Sequence, residues 1–311
     1  MRVAVLGTGG VGGYFGGRLA EAGHDVWFVA RGAHLDAMRA GGLRVDSVAG
    51  DFALPQVQAT ADTSEIGPVD LVMVCVKAWQ VVEVAGSIRP LIGADTAVLP
   101  LQNGVESSDQ LIERLGPDHV LGGVARIISF LSGPGHVTHA AHAPHIFAGE
   151  LDRSRSERAL RVVGAMQVRG VSCELAGDIR AEQWIKFVFG AAWGAVAALS
   201  GAPCGPLREL PATRQLLLDA MREVTAVAAA RGIALPGDPV AHSMAVLDSL
   251  PPEATVSLQR DLAAGVPSEI DAWSGAVVRL GSAAGVPTPI HRVASESMLP
   301  RELRARGQLE F

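Results

Sequence analysis

Lys186 stands in WIKFVFGAAWG (184–194), where its neighbours are aromatic, aliphatic or glycine. An ammonium held there could protonate or stabilise an oxygen that gains negative charge during a reaction. Apolar neighbours such as Trp184 and Phe187 disfavour the charged amine, a setting suited to a lysine that gives up its proton. The competing explanation is a lysine whose ammonium snorkels to water. Gly190 and Gly194 follow one and two turns along the same helical face. A mid-helix glycine costs about 1 kcal/mol relative to alanine, so both need a reason. Either another segment packs against the stripe Gly190, Gly194 and Ala198, or the glycines leave empty volume beside the lysine for a substrate.

A second chemical signal opens the chain. GTGGVG (7–12) matches G-x-G-x-x-G between the apolar run RVAVLG (2–7) and the helical stretch VGGYFGGRLAEAG (11–23). Gly7 allows the tight turn, Gly9 lets the backbone approach a pyrophosphate, and Gly12 lets helix and strand pack closely. The helix N-terminus adds unpaired N–H groups and a positive dipole end. A packing turn without a ligand is the plain alternative, which the strand–turn–helix context disfavours. The next strand, DVWFVAR (25–31), ends without the carboxylate that would bind an NAD ribose, since Asp25 lies at its other end. Arg31 offers instead a forked cation suited to the 2′-phosphate of NADP. A solvated surface arginine is the bland alternative.

These residues need elements to hold them. After the second strand come a short helix (34–42), LRVD (43–46), a polar excursion (47–65) and the strands VDLVMVCVK (69–77) and DTAVLPLQNG (95–104), with a helix near 79–88. Alternation of strand and helix predicts a doubly wound parallel sheet, and the unbroken apolar run VMVCV fits a strand covered on both faces. Residues 121–149 turn to extended, glycine-punctuated segments, expected as an antiparallel edge of the same sheet. A helix at 154–168 and a strand near 171–175 follow. Beyond Gly177 only helical patterns remain, at 179–199, 206–231, 238–249, 253–264, 267–284 and 289–309. The expected organisation is an α/β Rossmann-type dinucleotide-binding domain (1–177) followed by an all-α domain (178–311).

Composition narrows the functional classes. The net charge of −6 lacks the basic surface that nucleic acid requires. The apolar run Phe187–Leu199 is shorter than the roughly 20 residues of a membrane span, and no secretory signal opens the chain. A soluble, cytoplasmic protein is expected. Cys75, Cys173 and Cys204 have neither disulfide nor zinc-knuckle spacing. His136, His139, His142 and His145 recur every third residue, but Gly135 and Pro144 favour extended chain, where that spacing alternates faces, so no metal site is expected.

VKAWQ (76–80), LQNG (101–104), the Lys186 segment and PSEID (267–271), in this order behind the glycine turn, carry a family resemblance. The chain resembles the ketopantoate reductases (2-dehydropantoate 2-reductases) over essentially its whole length. The resemblance implies NADPH-dependent reduction of a 2-keto acid, a step of pantothenate biosynthesis, in a cleft between a Rossmann domain and a helical one. It implies Gly7, Gly9, Gly12, Arg31, Lys77 and Gln80 for the NADPH site, and Asn103 near the nicotinamide ribose. Lys186 would be the general acid, Glu269 the carboxylate that holds the substrate, and Ser257 a further substrate contact. From composition alone Glu269 reads as a first-turn helix residue. The family pattern has asparagines where this chain has Gly190 and Gly194, and a further one near Cys204. A bulkier or less hydroxylated 2-keto acid than ketopantoate is therefore expected to be the better substrate. A related hydroxyacid dehydrogenase and a non-catalytic NADP-binding redox sensor are the competing functions. The helical domain suits a monomer or a homodimer, and the charged C-terminal run RELRARGQLEF reads as a solvated helix end.

Overall fold

The computed structural model describes residues 1–311. The chain forms two compact units, Met1–Gln102 with Ser107–Ile179, and Asn103–Glu106 with Arg180–Phe311.

The first unit begins β1 (Arg2–Leu6), α1 (Gly10–Glu21), β2 (Asp25–Val29), α2 (Gly32–Gly41), β3 (Leu43–Ser47), β4 (Phe52–Leu54), β5 (Gln58–Thr60), β6 (Leu71–Val74), α3 (Val81–Ile88) and β7 (Ala97–Pro100). It continues α4 (Ser107–Leu115), β8 (Gly122–Gly133), β9 (His136–Gly149), α5 (Glu157–Met166) and β10 (Ser172–Leu175). Strands β5-β2-β1-β6-β7 make a parallel sheet in that order. The period-2 alternation of side chains divides β1 between two cores. Val3 and Val5 pack with Tyr14, Phe15 and Leu19 of α1, whereas Ala4 and Leu6 pack with Val81, Val84 and Ile88 of α3. Coverage on both faces explains the unbroken apolar runs.

Residues 121–149 do not extend that sheet. The hairpin β8–β9 belongs to a second sheet, ordered β10-β9-β3-β4 with β8 paired to β9. LRVD enters it as β3, parallel to β9 and antiparallel to β4. The polar excursion conceals the short strands β4 and β5. Helix α1 is packed from both sides, which accounts for its glycines. A Cβ at Gly16 would meet Val5 and Phe28 of the parallel sheet, and one at Gly17 would meet Phe52 and Leu43 of the second. His136 pairs with Asp46 and His139 with Ser47 Oγ, while His145 lies against Phe147.

The second unit holds α6 (Ile179–Ser200), α7 (Cys204–Glu209), α8 (Pro211–Ala230), α9 (Pro239–Ser249), α10 (Ser257–Ala264), a π-helical turn (Asp271–Gly275), α11 (Ala276–Ala284) and α12 (Pro289–Ala305). The single helix expected over 206–231 is two, because Pro211 has no N–H to continue a helix and opens α8 at its first position. The helix expected from 267 starts only after Glu269. Glu302, in the run expected to be solvated, is buried. No helix is long and apolar enough to cross a membrane.

Candidate active site

In the first unit, Gly7, Arg31 and Lys77 follow the carboxyl ends of β1, β2 and β6. Strand β1 is central, with β2 on one side and β6 on the other. Open α/β sheets bind ligands at such a switch point. Gly7 has φ +93°, and a Cβ on it would stand 2.7 Å from Val76 N. A Cβ on Gly12 would stand 2.3 Å from Gly7 O. The fold itself therefore excludes side chains at both positions. Gly9 differs: it has φ −83°, which any residue adopts, and a Cβ there meets nothing within 4 Å. Open space at the first turn of α1, among unpaired N–H groups, is what a pyrophosphate requires. The residues present thus fit a dinucleotide.

Arg31 is exposed at the N-cap of α2. Asp25, at the far end of β2, is engaged by Arg2 at 3.3 Å and by Gln58 at 2.5 Å. Beyond β5, Asp62 accepts from Ser64 N at 2.9 Å and Glu65 accepts from Thr60 Oγ1 at 2.6 Å. These nearby carboxylates are committed to protein donors. Gln80 Oε1 accepts from Lys77 N at 3.2 Å, so Gln80 also shapes the turn that carries Lys77.

In the second unit, Lys186 Nζ donates to Asn103 Oδ1 at 3.0 Å, and Asn103 Nδ2 donates to Glu269 Oε2 at 3.1 Å. One amide thus joins an ammonium to a carboxylate, and the two charges fix which way the amide points. Three sequence-distant residues meet because the 103–106 segment is tied to the helical run after Glu269. Gly104 has φ +96°, and a Cβ on it would lie 3.0 Å from Ala272 O. Arg279 bridges Glu106 and Asp271 at 2.9 and 2.6 Å. Lys186 is half-buried on α6, and Trp184 and Phe187 pack edge to face at 5.7 Å.

The volume over Gly190 and Gly194 is not empty. The indole of Trp273 lies on it: a Cβ on Gly194 would stand 2.6 Å from Cε3 and 3.0 Å from Leu258 Cδ2, and one on Gly190 3.7 Å from Cη2. Packing therefore explains Gly194, whereas Gly190 only borders the indole at an ordinary contact distance. Ser257 opens α10 next to Leu258 but has no place in the Lys186–Asn103–Glu269 chain. Cys204 is fully buried, and burial raises its thiol pKa. Trp273 was not foreseen as a site neighbour. Its only sequence signal was a position four residues after Glu269.

A Rossmann-like unit with a dinucleotide turn, accompanied by a helical unit with a linked lysine, amide and carboxylate, has the architecture of a nucleotide-dependent oxidoreductase. The chain belongs to the ketopantoate reductase family: residues 3–153 match the model "Ketopantoate reductase PanE/ApbA", and residues 178–298 match its C-terminal counterpart. A 2-dehydropantoate 2-reductase of Mesorhizobium japonicum is 31% identical, with 93% of this chain and 94% of that protein covered. The crystal structure of a PanE/ApbA family ketopantoate reductase from Ralstonia eutropha aligns with TM-score 0.90 at 33% identity, covering 98% of this chain and 100% of that one. D-mandelate dehydrogenase, solved with NADH and anilino(oxo)acetate, shares the fold with TM-score 0.88 at 22% identity, covering 98% of this chain and 99% of its own.

Proposed function

We propose that the protein reduces a 2-keto acid to the 2-hydroxy acid, with hydride from NADPH and a proton from Lys186. The carrying observation is the Lys186–Asn103–Glu269 chain, because a redox sensor would need only the cofactor contacts. When bound at the glycine turn, NADPH would supply the hydride for the keto carbon. As the C–H bond forms, the carbonyl π pair moves to oxygen, and the Lys186 ammonium gives that oxygen a proton and becomes a neutral amine. Asn103 holds Nζ through its carbonyl oxygen, so the lysine reaches the reacting oxygen without first reordering its long side chain. Glu269 fixes Asn103 and, as the resemblance implies, holds the substrate. General acid catalysis of this kind contributes about 10²- to 10⁴-fold.

Arg31, just past the end of β2, supports NADPH over NADH, since a 2′-phosphate there meets an exposed guanidinium and the strand end itself carries no carboxylate. The named relatives make 2-dehydropantoate the reference substrate. The α6 face supports a less hydroxylated one, because positions 190 and 194 carry no amide and an indole covers them. Each polar substrate group left unpaired there would cost about 1–3 kcal/mol. Trp273 takes up the volume over Gly194, which leaves the stretch beside Gly190 as the only part of this face where a larger substrate would gain room.

The test is oxidation of NADPH by the purified protein across a panel of 2-keto acids, 2-dehydropantoate included. Reduction of at least one, with apolar side chains preferred, is expected. No turnover of any 2-keto acid would overturn the function, and efficient selective turnover of 2-dehydropantoate would overturn only the substrate preference.

A further inference from the structure

Glu302 lies in the charged C-terminal run yet is 4% exposed. Helix α12 brings it to Ser268, which is 0% exposed and immediately precedes Glu269. The Glu302 carboxylate accepts from Ser268 N at 3.1 and 3.0 Å and from Ser268 Oγ at 2.6 Å. Arg306, one turn further on, donates to Glu302 Oε1 at 2.7 Å and to Ser268 O at 3.4 Å. With its proton committed to Glu302, the Ser268 hydroxyl turns a lone pair to Ile270 N at 3.4 Å, as a helix N-cap does. The N–H, C=O and hydroxyl of Ser268 are therefore all engaged by this pair. The next residue is Glu269. Its carbonyl accepts from Trp273 N at 3.0 Å, and its carboxylate accepts from Asn103.

We propose that Glu302 and Arg306 form a positioning pair. Through Ser268 they set where the helical run begins, hence where Glu269 points, and through Asn103 the place of the Lys186 ammonium. The proposal rests on the function put forward above. A buried ion pair contributes little net stability relative to apolar side chains of the same volume, whereas it fixes geometry through its directed bonds. The two Glu302 oxygens accept from the Ser268 N–H, the Ser268 hydroxyl and Arg306 at once. Glu302→Gln keeps the volume but replaces an acceptor oxygen by a donor, facing either Arg306 or the serine.

Two measurements test the pair. In the first, Glu302→Gln is compared in the unsubstituted and the Glu269→Ala backgrounds, using the best 2-keto acid of the panel. A fall in kcat/KM of about tenfold or more in the first background, with NADPH affinity held and no further fall in the second, is the signature of action through Glu269. Equal losses in both backgrounds would overturn the proposal. So would full activity of Glu302→Gln, or of Glu269→Ala itself. The second measurement needs no substrate: the Asn103 side-chain NH₂ signal by NMR, assigned by its loss in Asn103→Ala. Glu302→Gln should move that signal toward its position in Glu269→Ala. An unmoved signal would overturn the positioning role whatever the enzyme reduces. A moved signal in a protein that reduces no 2-keto acid would keep the positioning and overturn the function. Ser268→Ala removes one bond of the clamp and gives the same direction with a smaller shift, should Glu302→Gln fail to fold.

Discussion

Two glycine-rich segments of this chain look alike as text and differ in physics. In GTGGVG, Gly7 and Gly12 are forced by backbone atoms a few residues or one strand away, and Gly9 is the exception that faces open space. In FGAAWG, the demand on Gly194 comes from Trp273, on a separate helical segment. In the first stretch Gly12 is explained within the motif, by the Gly7 carbonyl, and Gly7 by its own left-handed φ as well as by Val76. The second carries half of an explanation whose other half lies far along the sequence. Glycine therefore marks a close approach or a ligand, and only the position of the neighbour's atoms tells which.

Substitutions can break this comparison. Gly12→Ala should have the largest effect, because its Cβ would lie 2.3 Å from the Gly7 carbonyl oxygen, a backbone atom that cannot rotate away. Loss of about 3 kcal/mol or more in denaturant unfolding, together with loss of NADPH binding, is expected. Gly194→Ala should follow. Alanine gains about 1 kcal/mol of helix propensity, but a Cβ 2.6 Å from an indole carbon costs about 1–3 kcal/mol, so the net change is destabilising. Trp273→Leu should restore much of that loss, and additive effects in the double variant would contradict the packing account.

Arg31→Ala should remove most of the preference for NADPH over NADH, roughly ten- to a hundred-fold for a charge-assisted contact of about 1.5–3 kcal/mol. Equal binding of both cofactors by the unsubstituted protein would remove the basis for this expectation. Gly190→Ala and Gly9→Ala are the smallest and the most discriminating. A Cβ on Gly190 meets Trp273 at 3.7 Å, an ordinary contact, so alanine should stabilise the protein by up to about 1 kcal/mol. Gly9→Ala should leave thermal unfolding nearly unchanged while weakening NADPH binding, since only a ligand would meet the new methyl group. A matching loss of stability would show that Gly9 serves the fold.

The parallel sheet was legible because its strands are buried on both faces and declare themselves by composition, as LVMV does. The second sheet was not, because β3 finds its parallel partner β9 far along the chain and nothing local records that pairing. Strands β4 and β5, of three residues each, are too short for any period to show. In the candidate site, the lysine, amide and carboxylate could be named from motif order. Their hydrogen bonds could not, since the tie through Glu106, Arg279 and Asp271 joins three segments. Glu302 escaped because a charge in a charged helix end usually reaches water, and its burial depends on where α12 docks.

The most direct test of the account is Lys186→Ala, with turnover on the best 2-keto acid measured beside the dissociation constant for NADPH. The account predicts a fall in kcat of about 10²- to 10⁴-fold with cofactor affinity nearly unchanged, because the ammonium acts on charge that appears only during reaction. Unchanged turnover would contradict it.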